Sequence, residues 1–497
     1  MDENYFDVAI IGAGLSGVGM ACHLARKCPQ KRYLILEGRG TMGGTWDLFR
    51  YPGIRSDSDM FTFGYSFKPW ISSQNLADGP AILSYIREAA REHQVEDRIR
   101  YNAQVDAIAW DSARAEWTVS YTDTVSRESR QVRCRFINGC TGYYNYEHGY
   151  EPAFPGSADF RGRIIHPQKW PDNLDYRGKR VVVIGSGATA VTVVPEMARD
   201  AAHVTMLQRS PTYMASIPAE SGLTTFLRRR LPEMWVYRIT RTLRVGLGAL
   251  FFALCRRFPN RMRKFMLKAV AKNVGPDVDM KHFTPKYNPW DERFCAVKGG
   301  DLFECVKSGT VSVVTDHIDR FTETGIRLQS GSEIDADIII TATGLELKFF
   351  GGIAITVDGV PYDPSQKMCY RAVMLEDLPN LGFTIGYTNS SWTLKADITG
   401  EWICRVIQHL DLSGTQCVVP VNSDATVVHK DFLDFQSGYI RRSIHQFPRM
   451  GDKPPWKLKQ LYPYDLIMLR FSRLEDGVLR FSRARKPADR EGAHAQG

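Results

Sequence analysis

The stretch Phe6-Asp-Val-Ala-Ile-Ile-Gly12-Ala-Gly14-Leu-Ser16-Gly17 decides the fold of the first part of the chain. A β-branched apolar run leads directly into a Gly-x-Gly-x-x-Gly turn. This pattern is typical of a strand, a tight turn and a helix whose N-terminus binds a pyrophosphate. The next apolar run, Tyr33–Leu36, ends at Glu37, whose carboxylate can accept hydrogen bonds from both hydroxyls of a ribose. We therefore predict a dinucleotide site that includes Gly12, Gly14, Ser16, Gly17 and Glu37.

A second turn of the same kind, Gly185-Ser186-Gly187-Ala188-Thr189-Ala190, follows the apolar run Arg180–Ile184. Alanine in the last position is a tolerated variant of the pattern. The next apolar run ends at Arg209 and Ser210, and a guanidinium can pair with a 2′-phosphate. Because the charges beyond the two turns are opposite, we predict two different dinucleotides: FAD at the first turn and NADPH at the second.

Length and composition indicate a globular protein of two or three domains. The chain has 497 residues, of which 43% are hydrophobic and 24% are charged. The ten cysteines form no Cys-x-x-Cys pair, and no histidine pair has the spacing of a metal site, so we expect no metal, no disulfide framework and no redox dithiol. The acidic N-terminus runs at once into the first strand, which leads us to expect a cytoplasmic protein without a secretory signal.

The formal net charge of +9 is concentrated in one segment. Between Gly222 and Gly275, thirteen Lys or Arg residues face the single acid Glu233, so the rest of the chain carries 51 − 54 = −3. This distribution argues against nucleic-acid binding. The segment contains an eleven-residue apolar run, Val245–Cys255, which is too short to span a bilayer. We expect helices packed over the active site; contact with a membrane surface through 222–275 and a partner interface remain alternatives.

These patterns predict an α/β fold with two Rossmann-like dinucleotide-binding domains in three layers and an inserted helical subdomain. We expect the first part of an FAD-binding domain over 1–142 and a linker over 143–178. An NADPH-binding domain should follow over 179–332, with the helical insertion at about 222–280. Residues 333–497 should complete the FAD domain and form the C-terminal region.

The stretch from Gly43 to Asp57 combines glycines, aromatic side chains and charges, which fits neither an ordinary strand nor an ordinary helix. Glycines allow the backbone to approach a flat cofactor, and aromatic side chains exclude water from it. We expect Asp57 to bring a carboxylate into this dry setting. The candidate cofactor contacts here and in the following strand region are Gly44, Thr45, Trp46, Asp47, Arg55, Ser56, Asp57 and Val105.

The stretch Phe160-x-Gly162-x3-His166-x3-Trp170-Pro171 resembles the fingerprint of the Baeyer–Villiger monooxygenases, which are class B flavoprotein monooxygenases. Gly44-x-Trp46-x4-Tyr51-Pro52-Gly53-x3-Asp57 is similar to the second signature of that family. The resemblance covers nearly the whole chain and is closest to the ethionamide-activating type. That similarity lies in Arg50–Asp59, Tyr287–Asp291 and Gly386–Asp397.

The resemblance implies that Arg293 is the active-site arginine. Its guanidinium would stabilise a C4a-peroxyflavin anion and the oxyanion of the adduct with a carbonyl, and Asp57 would orient it. His166 is implied to couple domain rotation to cofactor binding rather than to transfer protons. One position departs from the family pattern: Glu292 stands where many relatives have a lysine, which leaves Arg209, Ser210 and Arg55 to read the 2′-phosphate.

The implied activity is the insertion of one O2-derived oxygen beside a ketone carbonyl, giving an ester or lactone. Sulfoxidation of thioethers or thioamides is the expected side activity, and the substrates should be small hydrophobic ketones or sulfides. We expect the Tyr387–Trp392 region and helices of the basic segment to line the substrate pocket. An N- or S-hydroxylating flavin monooxygenase is the nearest alternative. A non-catalytic nucleotide-binding protein at a membrane surface is a more remote one. The sequence does not indicate an oligomeric state.

Overall fold

Each glycine turn lies at the carboxyl end of a strand in its own sheet. The computed structural model describes residues 2–292, 294–432 and 438–484. Up to residue 149 the strands are β1 Tyr5–Ile11, β2 Tyr33–Leu36, β3 Ile99–Arg100, β4 Ala103–Asp111, β5 Glu116–Asp123, β6 Ser129–Gly139 and β7 Tyr144–Gly149. From residue 163 to 341 they are β8 Arg163–Ile165, β9 Arg180–Ile184, β10 His203–Gln208, β11 Met214–Ile217, β12 Cys295–Lys298, β13 Val311–Thr315, β14 Ile318–Thr322, β15 Gly325–Leu328, β16 Glu333–Asp335 and β17 Ile338–Thr341. After residue 344 they are β18 Leu345–Leu347, β19 Ala354–Val357, β20 Val360–Pro361, β21 Cys369–Tyr370, β22 Met374–Leu375, β23 Leu381–Phe383, β24 Cys417–Pro420, β25 His429–Asp431, β26 Arg449–Gly451 and β27 Leu479–Ser482.

The helices cover the sheets and form the insertion. In the first half they are α1 Leu15–Lys27, α2 Thr45–Leu48, α3 Met60–Phe63, α4 Gly79–Glu92, α5 Ala188–Met197 and α6 Gly222–Arg228. In the second half they are α7 Glu233–Arg257, α8 Pro259–Val274, α9 Asp301–Lys307, α10 Trp392–Ser413, α11 Gly438–Ser443 and α12 Tyr462–Phe471. Short 3₁₀ turns occur at Glu96–Arg98, Pro167–Lys169, Met280–Phe283, Phe349–Gly352, Pro364–Gln366 and Ile444–Gln446.

The first sheet has the strand order β20-β19-β4-β5-β6-β1-β2-β3, and β23 pairs in parallel with β6. Strand β1 lies between β2 and β6 and is parallel to both, which explains its continuous apolar run. Val8 and Ile10 pack in one buried cluster with residues of α1, α4 and α10. Ala9 and Ile11 pack in a second cluster with residues of β4 and β5. The first glycine turn is therefore fixed by a core on both faces of the sheet.

The second sheet is parallel and has the order β13-β10-β9-β17-β8. The sequence led us to place the return to the first domain at residue 333, but β17 pairs with β9 and β8 in the second sheet. The chain rejoins the first sheet only at β19, which runs parallel to β4. A short, wholly buried apolar strand such as β17 suits either sheet, so its sequence does not specify which sheet it joins.

The basic segment, where the sequence predicted a helical insertion, folds into the three helices α6, α7 and α8. Arg241 of α7 fixes the insertion to the first domain. Its guanidinium donates to Asp397 Oδ2 of α10 at 3.1 Å and to the carbonyl oxygen of Phe61 at 3.0 Å. Burial alone raises the pKa of Asp397, but hydrogen bonding from His23 and the charges of His23 and Arg241 outweigh burial and lower it. Among the described residues, no helix is long and apolar enough to cross a membrane.

Candidate functional site

The two glycine turns have the same geometry at their first glycine. Gly12 has φ +99°, and a Cβ atom there would lie 2.7 Å from the carbonyl oxygen of Cys140. Gly185 has φ +141°, and a Cβ atom there would lie 2.4 Å from the carbonyl oxygen of Ala342. In both turns only glycine permits this approach to the end of a neighbouring strand. The second glycines, Gly14 and Gly187, are the N-caps of α1 and α5. The other predicted turn residues begin those helices; they are Ser16, Gly17, Ala188, Thr189 and Ala190.

Glu37 stands at the end of β2 and is buried. Its Oε2 accepts the backbone N–H of Ala13 in the glycine turn at 2.7 Å, and its Oε1 accepts the N–H of Arg39 at 3.0 Å. Burial raises the pKa of Glu37, and the two N–H donors oppose that rise. The carboxylate is thus held beside the turn, where a ribose acceptor is required. Val105 lies nearby: it is buried in β4, whose first residue, Ala103, donates its N–H to the carbonyl oxygen of Glu37 at 2.8 Å.

Ser16 connects the first turn to the C-terminal part of the chain. The indole Nε1–H of Trp392 donates to Ser16 Oγ at 2.7 Å. Trp392 is the first residue of α10, the helix that packs against α1. The sequence placed Trp392 in a substrate-pocket region and gave no sign of this contact, because 376 residues separate the two partners.

The segment after Glu37 forms a wall beside the first turn. Gly43 pairs with Gly14 as an isolated bridge, and Gly44 is the N-cap of α2. We expected no helix here, but Thr45–Leu48 forms a single helical turn. Thr45 Oγ1 lies 3.3 Å from the hydroxyl of Tyr146, and Trp46 packs edge-on against Phe63 with ring centroids 5.4 Å apart. The buried carboxylate of Asp47 accepts a hydrogen bond from Arg39.

The structure shows the surroundings of Asp57 and Arg55, two of the expected cofactor contacts. Asp57 is exposed rather than enclosed, whereas Ser56 beside it is buried. The carboxylate that desolvation affects is Asp59, which caps α3 through the N–H groups of Phe61 and Thr62 and whose pKa is raised by burial. Asp59 stands three residues before Thr62, which is the spacing of an aspartate that caps a helix. The aromatic residues of the segment did not indicate whether Asp57 or Asp59 would be the desolvated carboxylate. The partner expected for Asp57, Arg293, lies outside the described residues.

Arg55 forms an ion pair with Asp301 at the start of α9, with Nη1 and Oδ2 2.5 Å apart. The Arg55 side chain is only 5% exposed, so its charge is already compensated within the protein. We expected Arg55 to help read a 2′-phosphate, and this pairing argues against that role. The sequence did not show it because Arg55 and Asp301 are 246 residues apart.

The end of β10 presents the residues expected to read the 2′-phosphate. Arg209 and Ser210 are exposed there, and the Ser186 hydroxyl donates to the carbonyl oxygen of Ser210 at 2.9 Å, joining the second turn to this strand end. Partial burial raises the pKa of Glu292, and the charge of Arg209 opposes that rise, so the two side chains influence each other.

Sequence reasoning missed Arg442 as a candidate at the same place. Its guanidinium lies over the ring of Tyr150, 3.5 Å from the ring centroid. Its Nη2 is 3.8 Å from the position of a Cβ atom on Gly344, just beyond β17. The C-terminal end of β17 adjoins the second glycine turn, since Gly185 contacts Ala342. The pair Arg441-Arg442 belongs to no recognisable sequence motif. Arg442 reaches the end of β17 only through the tertiary fold.

The fingerprint segment crosses between the two sheets. Phe160 is buried, edge-on to Phe321, and a Cβ atom on Gly162 would lie 2.4 Å from the carbonyl oxygen of Asp337. His166 Nε2 is 3.2 Å from the carbonyl oxygen of Gly344, and its Nδ1 accepts the N–H of Gln168 at 3.2 Å. Burial lowers the pKa of His166, which favours the neutral ring near neutral pH. Trp170 packs on the core of the second domain, and Pro171, half-buried, follows it.

A cavity lies beside Tyr387, in the region where we expected the substrate pocket. Its walls include Tyr387, Phe432 and the buried Lys395, which pairs with Asp465 at 3.1 Å. The Tyr387 hydroxyl donates to the same carboxylate at 2.8 Å. The described residues that line this cavity all lie between 371 and 469, and none belongs to the basic helices.

Fold and site together define a protein with two dinucleotide-binding domains joined by a structured crossover. A family model described as flavin-binding monooxygenase-like matches residues 61–411, and a model of an NAD(P)-binding Rossmann-like domain matches residues 10–74. The chain belongs to the flavin-binding monooxygenase-like family.

Three named relatives match over nearly their full length. The FAD-containing monooxygenase EthA of Mycolicibacterium smegmatis is 48% identical over 97% of this chain and 98% of its own. The putative FAD-containing monooxygenase MymA of Mycobacterium tuberculosis is 49% identical over 97% of this chain and 98% of its own. The probable FAD-binding monooxygenase AlmA of Acinetobacter baylyi is 47% identical over 98% of both chains.

Solved structures share the fold. An oxidised steroid monooxygenase bound to NADP superposes with a TM-score of 0.70 at 23% identity, covering 84% of this chain and 88% of the other. An open structure of cyclohexanone monooxygenase also gives a TM-score of 0.70, at 19% identity, over 84% of this chain and 90% of the other. These identities are low, so the likeness supports the architecture of two domains and not a particular substrate.

Proposed function

We propose that the protein is an FAD-dependent, NADPH-consuming Baeyer–Villiger monooxygenase. A ketone, O2, NADPH and a proton give an ester or lactone, water and NADP⁺; thioethers and thioamides are oxidised at sulfur as a side activity. The observation that carries the proposal is the pair of helix N-termini at the glycine turns. The strand after the first turn is followed by the acidic Glu37, and the strand after the second turn is followed by the basic Arg209. The fingerprint segment around His166 connects the two domains.

The first site fits the pyrophosphate and ribose of FAD. No side chain among the described residues caps the N-terminus of α1, and its first turn contains no acid. Its N–H groups and helix dipole therefore favour an anionic ligand. Glu37, held by the N–H groups of Ala13 and Arg39, supplies the acceptor for the ribose hydroxyls. The name of the relative EthA, an FAD-containing monooxygenase, supports this assignment.

The second site fits NADPH. Helix α5 also begins without a side-chain cap among the described residues and without an acid in its first turn. Arg209, with Ser210 beside it, reads the 2′-phosphate, and Arg442 adds a second guanidinium at the neighbouring strand end. Glu292 opposes this recognition because its carboxylate repels a phosphate. The steroid monooxygenase that shares the fold was solved with NADP, which supports the same assignment.

Bound FAD, once reduced by NADPH, supplies the reducing equivalents and the activated oxygen. We assign to Arg293 the stabilisation of the negative charge that develops as oxygen is transferred to the carbonyl carbon. The residues on either side of position 293 pack against α7: Trp290 is 5.6 Å from Phe252, and Phe294 is 6.1 Å from Phe251, measured between ring centroids. These contacts hold Trp290 and Phe294 against the helical insertion.

His166 acts as a positioning residue. Both of its ring nitrogens are occupied by backbone groups, and its pKa is lowered, so it does not exchange protons with a substrate near neutral pH. Instead it fixes the crossover segment to the end of β17. A change in the relative position of the two domains therefore moves this segment with β17.

A panel of ketones tests the proposed function. The purified holoenzyme is mixed with each ketone and NADPH in air, and the products are identified by mass spectrometry. We expect an ester or lactone from at least one hydrophobic ketone. Oxidation of sulfides without an ester from any ketone would assign the protein to the S-hydroxylating alternative.

A further inference from the structure

The helical insertion carries a continuous exposed apolar surface. Of the twenty large hydrophobic side chains that are exposed among the described residues, eleven lie between Leu223 and Phe265. Six of them project from α7 and are 36–57% exposed: Trp235, Ile239, Leu243, Leu247, Leu250 and Leu254. We call these six residues the α7 stripe.

The α7 stripe lies on one side of its helix. Its members follow one another at intervals of four, four, four, three and four residues, which confines them to an arc of about 120°. The stripe spans most of α7, whose 25 residues give a length of about 37 Å. An exposed apolar band of this length is unusual for a surface that faces only water. Helix α7 nevertheless carries too many charged side chains to cross a bilayer.

Positive charge borders the stripe. Arg238 and Arg257 lie beside it on α7 and are exposed. On α8, the exposed Arg261, Lys264, Lys268 and Lys272 share one face with Phe265, which is 65% exposed. None of these six basic side chains forms an ion pair with another described residue. The surface therefore combines apolar contact with uncompensated positive charge.

Aromatic rings and guanidinium groups meet along the edge of the same surface. Arg230 lies 4.4 Å from the ring centroid of Phe226, and Arg238 lies 5.9 Å from that of Trp235. Arg257 lies 5.3 Å from the ring centroid of Phe258. Such pairs combine an apolar ring with a cation, the chemistry that suits the boundary between lipid headgroups and acyl chains.

The opposite side of α7 is fixed to the protein. Arg241 is buried against Asp397 and the carbonyl groups near Phe61, so the N-terminal half of the helix cannot turn the stripe inward without breaking that pair. Phe251 packs on Phe294, and Phe252 packs on Trp290. Contact through the stripe would therefore place Trp290 and Phe294 behind the contact surface.

We propose that the insertion over residues 222–275 is a docking surface for an anionic lipid bilayer, with the α7 stripe lying in the interface and the lysines and arginines of α7 and α8 contacting the headgroups. The balance of thirteen basic residues against one acid within the segment favours anionic lipid over a second copy of the same surface, which would bring like charges together.

Vesicle flotation tests the docking surface. The full-length holoenzyme is mixed with vesicles of neutral phosphatidylcholine alone or of phosphatidylcholine with one quarter phosphatidylglycerol. We expect flotation with the anionic vesicles only, weakened by added salt. The variant Leu247→Gln/Leu250→Gln should lower the partition coefficient by about ten-fold or more, and Lys264→Glu/Lys268→Glu should have a similar effect.

The matched control is Val360→Gln/Leu412→Gln, which changes two side chains that are 66% and 88% exposed elsewhere on the protein. It should float like the unchanged protein. Flavin absorbance and thermal transitions check that every variant is folded. Absence of flotation, equal flotation of the stripe variant, or self-association abolished by the stripe variant without any vesicle binding would each overturn the proposal; the last result would assign the surface to a second copy.

Discussion

The imidazole of His166 donates a hydrogen bond from Nε2 to the carbonyl oxygen of Gly344 across 3.2 Å, although 178 residues separate the two. A carbonyl oxygen can only accept, and Nδ1 accepts from Gln168, so the ring is neutral with its proton on Nε2. A Cβ atom on Gly149 would lie 2.1 Å from this ring. The crossover segment is thus fixed to the strand end next to the second glycine turn.

This geometry predicts how His166 affects stability at different pH values. Its pKa is lowered in the folded state, so between about pH 6.5 and that lower folded pKa the unfolded chain binds a proton that the folded protein does not. The stability from neutral His166 is present above that pH and is lost as the pH falls toward the folded pKa. Thermal unfolding at a series of pH values should therefore show a smaller acid-induced loss in His166→Gln than in the unchanged protein. The exposed His429 provides the control His429→Gln, which should follow the unchanged protein.

Glu37→Gln should weaken FAD binding by about ten-fold, because a charge-assisted hydrogen bond to the ribose becomes a neutral one and the amide offers only one acceptor oxygen. The measurement is the flavin absorbance per protein after dialysis, together with the affinity of the apoprotein for added FAD. Glu128→Gln, which changes a carboxylate that is 65% exposed, should leave both values unchanged. Full FAD retention by Glu37→Gln would remove Glu37 from the cofactor site.

Arg209→Ala should raise the KM for NADPH by about ten-fold or more and change the KM for NADH little, because the two cofactors differ only in the 2′-phosphate. Arg442→Ala should act in the same direction with a smaller effect. Glu292→Lys should lower the KM for NADPH by replacing repulsion with attraction. Steady-state kinetics with both cofactors measures all three variants. An equal change in both KM values for Arg209→Ala would contradict recognition of the 2′-phosphate.

Arg241→Met should lower the free energy of unfolding by about 3–5 kcal/mol, because Asp397 would remain buried without one of its charge partners. Denaturant unfolding measures this loss. The control Arg130→Met breaks an exposed pair with Glu128 and should cost less than about 1 kcal/mol. A loss in Arg241→Met no larger than in the control would show that the insertion is held by other contacts.

The nucleotide turns could be predicted from sequence because their determinants are local. Gly12 and Gly185 follow apolar strands directly, and Glu37 and Arg209 follow the ends of the next strands, so strand, turn and candidate ribose reader all lie within one βαβ unit. The helical character of the basic segment, though not the number of its helices, was equally accessible through its periodicity.

Features that depend on distant parts of the chain could not be predicted. From the sequence we expected Arg55 to contact a phosphate, but in the fold it pairs with Asp301. We expected Asp57 to be enclosed, but its side chain is exposed. Arg442 reaches the second turn only because the C-terminal region folds back across β17. Arg55 and Asp301 are 246 residues apart, and Arg442 belongs to the C-terminal region, so local patterns carry no information about these contacts.

The most direct test of the proposed activity is turnover of a hydrophobic ketone by the holoenzyme in isotopically labelled O2. We expect an ester or lactone that carries one labelled oxygen atom, formed with one NADPH consumed per ester. Consumption of NADPH with hydrogen peroxide as the only oxygen product, for every ketone in the panel, would contradict it.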